Sequence, residues 1–191
     1  EHFRPGQLDI IRSLACGQDV LAVMPTGAGK SICYQLPALL RGGVCIVVSP
    51  LIALMQDQVH RLIQNGIRAA YINSALTENQ CRKALQNAAQ GMYRIVYAAP
   101  ERLMTPSFLR FASQAPISLV CIDEAHCISH WGPDFRPGYQ RIAEFLSLLP
   151  QRPPVGAFTA TATQRVREDI LHSLQLKHPL VRTMGFGRPN L

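Results

Sequence analysis

The stretch Met24-Pro25-Thr26-Gly27-Ala28-Gly29-Lys30-Ser31 decides the fold, because it lies between an apolar run at residues 20–23 and a helical pattern at residues 31–40. A strand, a glycine-containing turn and a helix in this order are typical of a phosphate-binding loop. Glycines let successive backbone N–H groups converge on a polyphosphate, and the helix N-terminus adds its positive end. Lys30 supplies a positive charge, and Ser31 supplies a hydroxyl group for magnesium.

The loop departs from the strict pattern at one position, since Met24 stands where the first glycine is expected. A turn that holds two glycines and a lysine without a ligand is therefore the alternative interpretation. The position of the loop, after an apolar strand and before a helix, favours phosphate binding. The candidate nucleotide-binding residues in this stretch are Pro25, Thr26, Gly27, Ala28, Gly29, Lys30 and Ser31.

Apolar runs alternate with amphipathic segments along the whole chain. The runs predict strands at residues 20–23, 44–48, 69–72, 94–98, 118–122 and 155–158, with one edge strand at 180–183. The amphipathic segments predict helices at residues 8–16, 31–40, 51–64, 77–90, 139–149 and 164–174, and residues 100–103 open another. This alternation predicts an α/β fold with a mostly parallel central sheet, helices on both faces and ligands at the carboxyl ends of the strands.

The composition fits one α/β domain of 191 residues, since 48% of the residues are hydrophobic and can fill a sizeable core. A net charge of +7 suits a polyanionic partner, although many domains are mildly basic. The six cysteines form no Cys-x-x-Cys pair, so we expect free thiols, a reducing compartment and no metal cage. The chain has no signal peptide and no apolar run of roughly 18 residues, so we expect no secretion and no membrane.

A second chemical motif, Asp123-Glu124, directly follows the predicted strand at residues 118–122. The pair should therefore lie at the same edge of the sheet as the glycine loop. Asp123 is a candidate ligand of magnesium, and Glu124 is a candidate base for the water that attacks a γ-phosphate. Adjacent acids after a strand can also form a solvated turn or a helix cap. The presence of Gly29-Lys30-Ser31 favours hydrolysis, because each motif requires what the other supplies.

Short hydroxyl side chains end the predicted strand at residues 155–158. Thr159 and Thr161 are candidates for hydrogen bonds to the acidic motif, through which they would report the state of the nucleotide. The alternative for these threonines is capping of the next helix, and for Thr163 we favour that alternative.

The combination of motifs resembles the RecQ family of superfamily 2 DNA helicases over the length of the chain. Residues 3–7, Phe-Arg-Pro-Gly-Gln, are similar to the motif of the family that reads adenine, and residues 24–31 to motif I, which has a non-glycine at its first position. Residues 49–59 resemble motif Ia, residues 97–103 the next block, residues 123–126 the DEAH box and residues 158–163 motif III. The resemblance implies that Arg4 and Gln7 contact the base, and that Ser49, His126, Thr159 and Thr161 contact DNA or couple it to hydrolysis.

The most specific resemblance lies in residues 127–137, which are similar to the aromatic-rich loop of RecQ enzymes. It implies that Trp131, Phe135 and Arg136 engage single-stranded DNA, although Pro133 and His130 stand where His and Gln are more usual. Trp131 is the only tryptophan and lies among Gly, Pro and charged residues. Such a side chain can stack on a base, for about 1–3 kcal/mol. The alternative is that Trp131 anchors the loop by packing against the domain.

The family resemblance implies the first RecA-like lobe of an ATP-dependent 3′-to-5′ DNA helicase that serves repair and recombination. It implies ATP and Mg²⁺ as cofactors, and as partners single-stranded DNA, duplex junctions and a second RecA-like lobe that supplies an arginine finger. Residues 1–191 are assigned to the first lobe, residues 187–191 resemble the start of the connection between lobes, and the second lobe and C-terminal domains lie outside this chain. The lobe alone should bind nucleotide, hydrolyse it very slowly and not unwind DNA.

The expected location is the cytoplasm, with the nucleoid if the source is bacterial and the nucleus if it is eukaryotic. Two alternatives stay open at this point. One is a lobe of a DEAH or DEAD-type RNA helicase, and the other is a nucleotide-dependent switch that binds ATP without unwinding.

Overall fold

Strands and helices alternate along residues 3–184, the part of the chain that this computed structural model describes. The strands are β1 (Val20–Val23), β2 (Val44–Val48), β3 (Ala69–Ile72), β4 (Ile95–Ala98), β5 (Ile117–Ile122), β6 (Val155–Thr159) and β7 (Leu180–Thr183). The helices are α1 (Gln7–Ala15), α2 (Lys30–Leu40), α3 (Ile52–Gln64), α4 (Glu78–Ala89), α5 (Pro106–Gln114), α6 (Pro137–Leu148) and α7 (Gln164–Ser173). The predicted connection at residues 187–191 lies outside the described residues.

The seven strands form one sheet in the order β3-β4-β2-β5-β6-β1-β7, and all of the paired strands run parallel. Strands β1, β2, β4 and β6 are buried along their whole length, which explains why their sequences are continuous apolar runs. The predicted parallel sheet is therefore confirmed. The order places β5, β6 and β1 side by side, so the segments that follow these three strands meet at one edge.

Helices cover both faces of the sheet. The side chains of α1, α2 and α3 pack in one apolar cluster with residues such as Ile10, Tyr34 and Met55. The side chains of α4, α5, α6 and α7 pack in a second cluster, which contains Phe108 and Phe145 in edge-to-face contact. All six cysteines are free thiols, and five of them are buried. None of the helices within residues 3–184 is long and apolar enough to cross a membrane.

Helix boundaries differ from the sequence prediction at two places. Residues Pro100–Arg102 form only a 3₁₀ turn, and the helix predicted to open there, α5, begins at Pro106. Helix α6 begins at Pro137, before the predicted start at residue 139, because proline is favourable at the first position of a helix. The N-cap predicted at Thr163 is present, since its side chain accepts a hydrogen bond from the Val166 N–H at 3.3 Å.

One buried carboxylate, Asp19, ties the start of β1 to two later segments. It is 3% exposed, and Arg152 donates to its two oxygens at 3.2 and 2.8 Å. The backbone N–H groups of Val155 and Lys177 donate to the same carboxylate at 2.8 and 2.7 Å. The sequence analysis did not identify Asp19, because none of these partners is near it in the chain.

Replacing this carboxylate should destabilise the domain. Asp19→Ala removes the charged partner of Arg152 and the acceptor of two backbone N–H groups, so we expect the free energy of unfolding to fall by about 3 kcal/mol in urea denaturation. Asp9→Ala is the matched control, since Asp9 pairs with Arg182 on the surface and its loss should change stability by less than about 1 kcal/mol. Equal, small losses in both variants would contradict a structural role for Asp19.

Candidate nucleotide and nucleic-acid site

The glycine loop joins β1 to α2 and has a backbone conformation that residues other than glycine rarely adopt. Gly27 and Gly29 have φ values of 78° and 80°, in the left-handed region that favours glycine. Gly29 caps α2 without a side-chain hydrogen bond, so the first N–H groups of the helix have no side-chain acceptor at this cap. The Met24 N–H donates to the Thr159 carbonyl at 2.8 Å and anchors the loop to β6. The loop therefore fits a polyphosphate.

Gln7 and Arg4 contact the backbone of this loop. Gln7 is buried, and its amide donates to the Ala28 carbonyl at 3.0 Å. A Cβ atom at Gly29 would lie 2.4 Å from the Gln7 side-chain nitrogen, so a larger residue here would displace the Gln7 amide from the loop. Arg4 donates to the Gly27 carbonyl, and its own N–H donates to the Gln7 side-chain oxygen at 2.8 Å. These contacts shape the phosphate loop, and the contact of both side chains with adenine stays a prediction.

The acidic pair lies opposite the loop lysine. Lys30 Nζ is 3.4 Å from Glu124 Oε1, and both side chains are largely buried. Asp123 is 6% exposed, and this burial raises the pKa of its carboxyl to about 6, against the opposing effect of the Lys30 charge. A divalent cation would favour the ionised form of such a carboxyl, so Asp123 fits a magnesium site. Ser31, the other candidate ligand, lies in the first turn of α2.

Glu124 has a backbone conformation that is uncommon outside glycine. Its φ of 49° costs of the order of 1 kcal/mol, and strain of this kind is concentrated at functional sites. The preceding residue helps to hold the conformation, since the Glu124 N–H donates to Asp123 Oδ1 at 3.0 Å. The Tyr139 hydroxyl donates to the Asp123 carbonyl at 2.9 Å. Sequence reasoning missed this contact, because Tyr139 lies in no motif and is distant from Asp123 in the chain.

A chain of polar contacts leads from the acidic pair to the end of β6. His126 Nδ1 lies 3.3 Å from Glu124 Oε2 and 2.9 Å from the Thr159 hydroxyl. That hydroxyl donates its own proton to the Thr161 carbonyl at 3.0 Å, so it must accept from the imidazole. The proton of the neutral ring is therefore on Nδ1. Thr159 is thus linked to the acidic motif through His126, whereas Thr161 takes part only through its backbone.

Trp131 is exposed on the loop that follows the acidic motif. Its relative exposure is 60%, so the ring does not fill the core. The guanidinium carbon of Arg165 lies 3.3 Å from the centroid of the indole ring. Phe135 is half-buried, and its ring stacks on His130 at a centroid distance of 3.8 Å. Of the two predicted aromatic contacts, Trp131 is therefore the more accessible.

The loop is held close to the acidic motif by its own backbone and by Arg136. A Cβ atom at Gly132 would lie 2.4 Å from the His126 carbonyl oxygen, so this close approach requires glycine. Arg136 donates to Asp134 at 3.0 and 2.8 Å, and this interaction lowers the pKa of the Asp134 carboxyl. Arg136 also reaches the Pro50 carbonyl at 3.5 Å, next to the predicted motif Ia residue Ser49.

Ser49 is 1% exposed, and its hydroxyl has no hydrogen-bond partner within residues 3–184. Its side chain therefore does not lie on the surface, unlike that of Trp131. The predicted contact of Ser49 with DNA stays a prediction.

Solved structures of low sequence identity share this fold. The Pyrococcus furiosus Hef helicase domain aligns with a TM-score of 0.72 at 20% identity, over 95% of this chain and 38% of that one. The DUF1998 helicase MrfA aligns with a TM-score of 0.75 at 18% identity, over 98% and 31% of the two chains. This likeness shows that the chain has an α/β RecA-like fold, which carries the glycine loop and the acidic pair at one edge of its sheet.

Sequence comparisons are more specific. The family model for DEAD/DEAH box helicases matches residues 4–170. The chain belongs to the DEAD/DEAH box helicase family and, within it, to the RecQ helicases. It is 45% identical to the ATP-dependent DNA helicase RecQ of Pasteurella multocida, over 100% of this chain and 30% of that protein. For the protein of the same name from Bacillus subtilis the identity is 46%, over 100% and 32%. The chain thus spans about a third of the length of these curated relatives.

Proposed function

We propose that this chain is the ATP-binding lobe of a RecQ-type helicase that couples ATP hydrolysis to 3′-to-5′ unwinding of DNA. The observation that carries the proposal is one continuous set of contacts, from Lys30 through Glu124 and His126 to Thr159, beside a loop with an exposed Trp131. The relatives are ATP-dependent DNA helicases by name, which supports both ATP as the nucleotide and DNA as the nucleic acid.

In the proposed mechanism, the backbone N–H groups of the glycine loop and the Lys30 ammonium bind the β- and γ-phosphates of ATP. Ser31 and Asp123 would hold Mg²⁺, and the bound ion would supply positive charge to neutralise the phosphates. When Lys30 turns towards the phosphates, Glu124 loses its partner at 3.4 Å and becomes free to orient a water molecule and accept its proton. The ion pair of Lys30 and Glu124 therefore represents the resting arrangement of the same two groups.

Coupling to DNA is assigned to the loop. Trp131 stacks on a base of single-stranded DNA. Arg136 is paired with Asp134 and can exchange that carboxylate for a phosphate group of the DNA. Movement of the loop changes the position of His126, because Gly132 packs against the His126 carbonyl. His126 in turn contacts both Glu124 and Thr159.

The whole protein is proposed to contain a second RecA-like lobe that closes the nucleotide cleft and supplies an arginine finger. Such a residue can increase the rate of hydrolysis by about 10³-fold or more in related enzymes. Duplex junctions are the proposed DNA substrates, and the nucleoid or the nucleus is the proposed location.

The test of the coupling role is Trp131→Ala in the full-length protein. We expect the stimulation of ATP hydrolysis by single-stranded DNA to fall by about 5- to 150-fold, since one base loses a stacking contact of about 1–3 kcal/mol. The melting temperature should stay within a few degrees of wild type, because the exposed ring fills no cavity. Phosphate release with and without DNA and thermal unfolding measure the two quantities.

Two comparisons on the full-length wild-type protein address the alternatives. Stronger stimulation by RNA than by DNA of the same sequence would favour an RNA helicase. Hydrolysis that responds to DNA without strand separation would favour a nucleotide-dependent switch.

For the Trp131→Ala variant, a large loss of stability would show that the ring has a structural role, and the coupling assignment would be wrong.

A further inference from the structure

Helix α7 holds Trp131 at two points. The Arg165 guanidinium lies over the indole ring, at 3.3 Å from its centroid. One helical turn later, Asp169 accepts a hydrogen bond from the Ser129 hydroxyl at 2.6 Å. The same hydroxyl accepts from the Trp131 N–H at 3.1 Å. Residues four apart lie on one side of a helix. Arg165 therefore contacts the indole ring, while Asp169 holds the Trp131 backbone through the Ser129 hydroxyl.

The contact of Arg165 with the ring is the main interaction of its side chain. Within residues 3–184, the Arg165 guanidinium has no hydrogen bond or ion pair, although it is exposed and free to turn into water. An arginine stacked on tryptophan gains about 0.5–1 kcal/mol at an exposed site. The guanidinium covers only one face of the indole, and the 60% exposure of Trp131 leaves the other face accessible.

The helix that holds Trp131 is also connected to the nucleotide site. Helix α7 begins directly after Thr163, which caps it through the Val166 N–H at 3.3 Å. Thr163 ends the segment that starts at Thr159, and Thr159 receives the hydrogen bond from His126. The helix therefore gives a second connection from the loop to His126, in addition to the contact of Gly132 with the His126 carbonyl.

We propose that Arg165 and Asp169 are positioning residues that hold the Trp131 indole in one orientation, with one face covered by Arg165 and the opposite face open to a base of single-stranded DNA. The bound base, the indole and the guanidinium then form a three-layer stack. The inference rests on the proposed function for the identity of the ligand, whereas the hold on the ring is a property of the free chain.

The fluorescence of the chain tests this inference directly, because Trp131 is the only tryptophan of the 191 residues. In the absence of DNA, Arg165→Ala should raise the acrylamide quenching constant about twofold, as the second face of the ring opens, and should lower the fluorescence anisotropy. Arg165→Lys should give an intermediate result, because lysine keeps the charge but loses planar stacking. Arg141→Ala, which removes an arginine paired with Glu144, should leave both quantities unchanged.

DNA binding gives the second arm of the test. Titration with an oligothymidine at low salt should quench Trp131 in the wild-type chain, because the base stacks on its open face. The apparent affinity of Arg165→Ala should be about two- to fivefold weaker than that of Arg141→Ala, which carries the same net charge. A circular dichroism spectrum and melting temperature near those of wild type confirm that each variant is folded.

The outcomes separate the two proposals. Unchanged acrylamide quenching and anisotropy in folded Arg165→Ala would overturn the hold on the ring, whatever DNA does. Altered quenching without any response of wild-type Trp131 to DNA would support the hold and contradict the DNA-binding role of the loop. Equal DNA affinities of Arg165→Ala and Arg141→Ala would show that Arg165 acts through its charge alone, and the three-layer stack would be wrong.

Discussion

Lys30→Ala is expected to lower the turnover of ATP by the full-length protein by about 10²–10³-fold, which is the typical loss when a charge-stabilising group is removed from a transition state. The substitution removes the only side-chain charge of the glycine loop, whose backbone groups remain to bind the phosphates. Nucleotide affinity should therefore fall by a smaller factor than turnover. Steady-state phosphate release and the binding of a fluorescent ATP analogue measure the two effects.

Lys83→Ala provides a matched control. Lys83 is exposed on α4, a helix whose apolar side packs on the face opposite to α2, and its loss removes the same charge. Turnover in this control should equal that of wild type. Wild-type turnover in Lys30→Ala would contradict the assignment of residues 24–31 as the phosphate loop. Removal of Lys30 also leaves Glu124 without its partner at 3.4 Å, so thermal unfolding should accompany the kinetics.

Glu124→Gln should lower turnover by about 10²–10⁴-fold and leave ATP binding nearly intact, because an amide preserves the shape of the side chain but cannot accept a proton from water. The substitution can also disturb the contacts of Glu124 with its neighbours. Glu124 accepts from Lys30 at one oxygen and faces His126 Nδ1 at the other, so the amide nitrogen of glutamine must face one of these donors. The affinity for ATP is therefore measured together with single-turnover hydrolysis.

The control for this substitution is Glu101→Gln, an exposed acid on the 3₁₀ turn after β4, which should change neither quantity. Normal turnover per bound ATP in Glu124→Gln, combined with weaker binding, would show that Glu124 positions Lys30 and is not the base. Loss of turnover with retained binding would separate the chemical step from the binding step, as the proposed mechanism requires.

Sequence reasoning found most of the fold because the signals are local. Buried parallel strands are continuous apolar runs, as in β2, and the glycines of the phosphate loop occupy backbone conformations that other residues rarely adopt. It failed at α5, where Pro100 was read as the start of a helix. Proline favours the first position of any helical turn, and the pattern alone does not reveal that the turn stops at Arg102.

Within the candidate site, local motifs were sufficient to predict the phosphate loop and the acidic pair, but they did not reveal the partners of these groups. The ion pair of Asp134 with Arg136 was missed although the two residues are only two apart. Acidic and basic residues close together in sequence are common in solvated loops, so their spacing does not by itself predict an ion pair. Arg165 was missed because nothing in the sequence of α7 distinguishes it from the other charged residues there. Its contact with Trp131 depends on how α7 lies against the loop.

The sequence by itself determined which segments become strands and helices, and that a phosphate loop and an acidic pair end two of the strands. These features depend on side chains and backbone angles within a few residues of one another. Only the tertiary structure decided that β5, β6 and β1 are neighbours, which brings Glu124, His126 and Thr159 into contact. Strand order follows from the packing of whole helices on the two faces, and such long-range packing leaves no periodic pattern in the sequence.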